Sequence, residues 1–394
     1  MQSKKCNDIN QAISDYFSVL QLKYDCEIVY DLIKTIEKDG VTSFGVLPYI
    51  TLTVATALEM LETNNITDEI IKTAKIEGIR LKLKLFENGY GKSKKMLLNI
   101  DYLQNQIFKK QLRFKFMRGW GIHYNLGIYT DENKNVVGNT QYNYYLLQDN
   151  RLLKKSLDEV AKSYNVSPDK FDMDEYLGKE AFDYAYECAS IINSVREGIK
   201  DFNAPINIHS KSNNIKYYYA DYNTNKKSSL FPRGEDSKAT ILYLLHILST
   251  INFLLYVLNY YEEDDYGWWL KVNYVTYYYS VRKLNDLYEH LLQNKLLTSS
   301  IRQYFVKLDI KNAKYMNSNF RNYVMHSKFK DSGGVLLISN KYLDETKPLF
   351  GLVESCFNGM NYYDLKVAVV AELEKISNVL SEWLNTQSIV ISPL

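Results

Sequence analysis

The chain has 394 residues, 46% hydrophobic and 24% charged, which is enough apolar material for two or three domains around buried cores. A formal net charge of +2 excludes a global field for polyanions, so any nucleic-acid contact has to come from a local basic patch. Cys6, Cys26, Cys188 and Cys356 have no metal-knuckle spacing and suggest no disulfide framework, and the polar start "MQSKKCNDIN" lacks the apolar core of a secretory signal. A reducing cytoplasm is the expected compartment.

The first third predicts helices over residues 8–38, 43–63, 67–88 and 93–115, each with apolar residues at helical spacing and ends marked by turn residues such as "KDG" and "ENGYG". From "LRFKFMRGWGIHYNLGIYTDENKNVVGN" the pattern changes to short alternating runs broken by Gly, Asn and Asp. That predicts a hairpin or irregular insertion at about 113–145. A second helical block covers about 150–200. Residues 203–236 are polar, contain Pro205 and Pro232 and lack helical periodicity, which predicts a linker or small hairpin in which "INIH" and "IKYYYADY" pair.

Four helical segments follow, over 237–262, 268–294, 299 onward with a break near 315, and 363–385. The first contains "ILYLLHILSTINFLLYVLNYY", long enough to span a bilayer. His246, Ser249, Thr250, Asn252 and Asn259 interrupt it, while Leu244, Leu248, Ile251, Leu255 and Leu258 recur at three and four residues, so a buried core helix is expected and no membrane contact. The start of the second, "VNYVTYYYS", also suits a strand. The last carries one apolar stripe through Leu365, Val369, Leu373, Ile376, Leu380 and Trp383. The expected fold is mostly α: an N-terminal helical region of unknown role over 1–202, with a small β element, and a C-terminal four-helix domain over 237–394.

The chemistry-bearing residues concentrate in "NSNFRNYVMHSKF". Arg321 and His326 stand five apart with no Gly or Pro between them, polar Asn322 follows the Arg, and Asn322 and His326 share a face on a helix. Arg118 and His123 have the same spacing, but the glycines of "RGWGIH" argue against a helix there. Between 301 and 331 the basic residues Arg302, Lys307, Lys311, Lys314, Arg321, Lys328 and Lys330 meet only Asp309 and Asp331, an excess that suits a phosphate backbone. The plain alternative is a solvated basic face with a structural histidine. "YEEDD" at 261–265 places its carboxylates consecutively and reads as a solvated turn, and His209, His246 and His290 lack nearby Cys or His partners. No metal or cofactor is expected.

The segment "FRNYVMHSKF", with its R-x4-6-H pattern and polar residue after the Arg, resembles the HEPN superfamily. The helical pattern of 237–385, ending in "YYDLKVAVVAELEKISNVLSEWL", resembles that family's four-helix bundle. The resemblance implies a metal-independent endoribonuclease of bacterial antiphage, abortive-infection or toxin systems, acting as a homodimer in which two motifs meet, and it admits an antitoxin or sensor protein as a further partner. In that reading His326 exchanges the proton, Arg321 holds the phosphate, Asn322 orients His326 or binds RNA, and Lys328 and Lys330 bind substrate. The competing reading is a non-catalytic helical module that binds nucleic acid or a protein. A cyclic-nucleotide-sensing ribonuclease is disfavoured, because residues 1–230 show no β-α alternation.

Overall fold

The computed structural model describes residues 2–36, 40–63, 73–86, 89–115, 124–147, 157–163, 165–167, 170, 173–198, 215–231, 235–261 and 266–393. The chain is mostly helical, with one small four-stranded antiparallel sheet. In the first half α1 (Gln2–Thr35), α2 (Gly40–Thr63), α3 (Thr73–Lys82) and α4 (Tyr90–Lys115) are followed by β1 (Leu126–Thr130), β2 (Val136–Asn139), α5 (Thr140–Leu147), α6 (Leu157–Ser163) and α7 (Met173–Gly198). The helix expected over 67–88 ends earlier, because Leu83 and Lys84 close tighter turns onto Arg80 and Leu81, and Leu85 and Phe86 take positive φ.

The expected hairpin is β1 and β2. Its turn is closed by Asp131, whose Oδ1 accepts the amides of Asn133 and Asn135 at 2.9 and 2.8 Å, while Lys134 sits at positive φ. β3 (Tyr218–Tyr222) pairs with the other edge of β1, and β4 (Ser392–Pro393) pairs with β3, giving the order β2-β1-β3-β4. "IKYYYADY" therefore supplies a strand whose partners are β1 and β4. "INIH", His209, Pro205 and Pro232 lie outside the described residues.

In the second half α8 (Glu235–Tyr256), α9 (Trp268–Gln293) and α13 (Tyr362–Leu384) pack on one another. Two shorter helices, α10 (Ser299–Leu308) and α11 (Ser318–His326), pack on α13 and on α9 respectively, and α12 (Leu352–Cys356) lies between α11 and α13. The break near 315 has a local cause. Asp309 at φ 52° ends α10, and the Asn317 side chain accepts the Phe320 amide at 2.9 Å to start α11. α9 is one continuous helix despite its β-favouring start, since its first turns are buried on all sides.

Residues before and after 203–236 share one core. Lys271 of α9 pairs with Asp25 of α1, both only 2% exposed, and Trp268 Nε1 donates to Thr53 of α2 at 3.0 Å. Phe17 stacks on Phe350 at 4.4 Å between centroids, and Ser18 Oγ donates to the Ser327 carbonyl at 2.7 Å. Asp101 of α4 gathers Asn125, Gln141, Thr224 and Lys238 within 3.0 Å, tying the sheet to α8.

Two helical stretches, 40–60 and 237–261, are long and apolar enough to cross a membrane, and 83% of each apolar window is buried against the rest of the protein. The first was not singled out from sequence. The polar groups of α8 mostly find partners: Ser249 with Asn139, Thr250 with the His246 carbonyl, Asn252 with Ser377.

Asn252 Nδ2 goes unpaired among the described residues although its Oδ1 is engaged, and His246 is the fuller exception. Neither ring nitrogen has a hydrogen-bond partner among the described residues, and the ring packs against Phe86 and Tyr142 at 5.4 and 5.6 Å between centroids. Burial pushes its pKa down to about 3. The folded protein thus keeps His246 neutral where an unfolded chain protonates it near ~6.5. Between those two values the unfolded state binds the extra proton, so stability falls as pH falls, by ~1.4 kcal/mol per pH unit for one group. His246→Leu should flatten that slope in urea melts compared between pH 7.5 and pH 4.5. Equal slopes for both proteins would refute it.

Candidate active site

α11 is held at both ends. At its start the Asn317 amide donates to the Tyr274 hydroxyl at 2.9 Å, and Asn317 Nδ2 donates to the Cys356 carbonyl at 2.8 Å. Phe320, Tyr323, Val324 and Met325 bury one face, with Phe320 edge-on to Tyr274 at 4.7 Å. At its end Ser327 takes φ 46° as the C-cap. The polar face is left to Arg321, Asn322 and His326, which are half-buried, exposed and half-exposed respectively.

His326 is the last residue of the helix and its side chain is 41% exposed. Its Nδ1 lies 3.1 Å from Glu59 Oε1, and Glu59 stands near the end of α2. Arg80 of α3, 3% exposed, places Nη1 3.2 Å from the same oxygen and 3.4 Å from His326 Nδ1. It also donates to the Met325 carbonyl and pairs with Glu77. A guanidinium cannot accept a hydrogen bond, so the acceptor for an Nδ1 proton is the Glu59 carboxylate, and the neutral imidazole then carries its lone pair on Nε2. Lys328 Nζ approaches Glu59 Oε2 at 3.8 Å.

Partial burial raises the Glu59 pKa, but the hydrogen bond from His326 and the charges of His326, Arg80 and Lys328 outweigh it and hold the carboxyl below its usual range. The carboxylate stays ionised at neutral pH and faces the His326 ring.

Arg321 is placed differently. Its guanidinium lies over Tyr278 and Tyr279 of α9, 5.4 and 6.0 Å from the ring centroids, and its Nε is buried with no hydrogen-bond partner among the described residues. A five-residue step sets Arg321 and His326 about 140° apart around the helix and about 7.5 Å apart along it, and no direct contact joins them. Glu59, rather than Asn322, is the side chain bonded to His326. Lys330 reaches Gln11 of α1. Arg118 and His123 lie outside the described residues, as do the four carboxylates of "YEEDD".

Among the described residues no group of three or more His, Cys, Asp or Glu is arranged to hold a metal ion. Glu59 and Arg80 were missed by sequence reasoning. The available signals were slight: Glu59 is the first charge in an otherwise apolar helix, and Arg80 and Lys84 are four apart. His290 lines a separate cavity of about 410 Å³ with Tyr90, Thr240 and Trp383. It lies twelve residues beyond Tyr278, or about 18 Å along α9.

Comparison with protein families, with characterised proteins and with solved structures finds no match to this chain. The functional reading therefore rests on the chemistry of the residues themselves.

Proposed function

We propose that the chain is a metal-independent endoribonuclease that cleaves single-stranded RNA through the 2′-hydroxyl. The observation that carries this reading is His326, half-exposed, with Nδ1 against Glu59 and with Arg80 and Lys328 beside it. In the reaction Nε2 removes the 2′-hydroxyl proton, O2′ attacks the adjacent phosphorus, and the bond to the 5′-oxygen breaks as that oxygen takes up a proton. The products are a 2′,3′-cyclic phosphate and a 5′-hydroxyl. Glu59 fixes the imidazole tautomer and offsets the charge that forms on it, and Arg321, with a spare Nε–H, binds the phosphate.

A base and an acid are both needed, and the described residues of one chain offer one such histidine. The reading therefore includes a homodimer, built through the HEPN-like bundle of α8, α9, α11 and α13, in which the second His326 supplies the leaving-group proton. Cytoplasmic antiphage, abortive-infection or toxin activity, with an antitoxin or sensor partner, belongs to the same proposal.

One observation favours the non-catalytic binding module instead: Arg321 is held on tyrosines and away from His326. Incubation with single-stranded RNA in excess EDTA separates the two. Chelator-resistant cleavage yielding cyclic phosphate, absent on strands with a 2′-deoxy group at the cut, is expected. A magnesium requirement, or equal cutting of DNA, rules out the mechanism, and light scattering showing a fully active monomer rules out the shared site.

A further inference from the structure

We propose that Lys84 and Arg282, beside Arg321, form a second phosphate subsite, which grips the backbone of single-stranded RNA next to the phosphate that Arg321 holds before His326. The subsite rests on the ribonuclease reading for the position of the scissile bond, but not for binding itself. Three elements build it. α9 contributes Tyr278, Tyr279 and, one turn later, the exposed Arg282; α11 lays Arg321 over the two rings; the turn after α3 contributes Lys84, four residues beyond Arg80.

Among the described residues, the carboxylates nearest this cluster are already engaged. Glu59 serves His326, Arg80 and Lys328, Glu77 serves Arg80, and Asp286 lies 3.4 Å from the ammonium of buried Lys283 and accepts the Gly89 amide at 3.3 Å. Lys84, Arg282 and Arg321 have no carboxylate within ion-pair distance among the described residues, so like charges face one another with only the more distant Glu77 against them. Lys84 records the strain: burial first, then the charges of Arg80, Arg321 and Arg282, push its pKa down, against the pull of Glu77. The buried Arg321 Nε–H also needs an acceptor, and a phosphate oxygen supplies one.

Tyr278 and Tyr279 are buried, so they serve as a bed for the guanidinium rather than as stacking platforms for bases. The ligand is accordingly read through its backbone, with little sequence preference. Lys84, Arg282 and Arg321 come from three separate elements, a spread that suits a strand better than a single anion.

The test uses a fluorescent 2′-O-methyl RNA oligonucleotide, which binds but cannot be cut, in anisotropy titrations at several salt concentrations. Lys84→Ala with Arg282→Ala should weaken binding about tenfold or more and flatten the salt dependence by roughly 0.7 in log–log slope for each phosphate no longer neutralised. Lys84→Arg with Arg282→Lys should largely restore both. An unchanged slope in the double alanine variant, with the native melting temperature, overturns the proposal, as does full competition by millimolar inorganic phosphate. A flattened slope in a protein that never cuts RNA retains the subsite and discards the ribonuclease; active cleavage with an unchanged slope does the reverse.

Discussion

On the ribonuclease reading proposed above, His326→Ala should remove RNA cleavage while leaving the melting temperature within a degree or two, since the side chain is half-exposed and ends its helix. Proton transfer by a positioned side chain is worth ~10² to 10⁴ in rate, and that is the expected loss in single-turnover assays. Arg321→Ala should be inactive as well, and Arg321→Lys should recover little, because a point charge does not reproduce the planar fork on a phosphate. Glu59→Gln keeps the shape but lets an amide face Nδ1, so it should slow cleavage by a smaller factor. Arg118→Ala and His123→Ala, the same spacing broken by glycines, should cut at the native rate. Native-rate cleavage by His326→Ala would mean that the motif is only the polar edge of a helix.

The second large effect is on stability. Asp25→Ala should cost about 3 to 5 kcal/mol in urea unfolding, because it strands the Lys271 ammonium, 2% exposed, inside the core. Burial pushes the Asp25 carboxyl upward while Lys271 and Gln21 pull it down, so the pair is held by each partner's presence. Lys271 also lies 5.8 Å from the ring of Tyr323, which places the pair beneath α11. A double variant, Asp25→Leu with Lys271→Met, should recover much of the loss, as apolar replacement of buried ion pairs commonly does. A cost under about 1 kcal/mol for Asp25→Ala would show that water reaches the amine.

The sequence made the long amphipathic helices visible because each repeats its own burial pattern. The stripe of α13, from Leu365 to Leu380, is buried as read, and the Asp131 turn was announced by its Gly, Asn and Asp residues. Local signals failed where the determinant is tertiary. Nothing in "IKYYYADY" says that its neighbour is β1, some ninety residues earlier, with β4 arriving from the chain's end. The site shows the same division. Arg321, Asn322 and His326 were identifiable as a polar face on a short helix, but His326 takes its carboxylate partner from 267 residues away. Glu59, the first charge in an apolar helix, announces burial without naming a partner, and Arg80 looked like one more base beside Lys82 and Lys84. Arg321, expected beside His326, is drawn to the Tyr278 and Tyr279 rings, a preference that spacing along one helix cannot express.

That separation along the chain has a consequence during synthesis. Glu59 and Arg80 leave the ribosome long before His326, and at ~5 to 20 residues per second the interval is about 13 to 50 s. For that time α2 and α3 exist without α11, and α1 without the lysine that answers Asp25. No partial product that stops before α11 carries both halves of the proposed centre, so on the ribonuclease reading such a chain should be inactive. For a protein whose task would be to destroy RNA, its own message included, activity then begins only once the far end of the chain has been read.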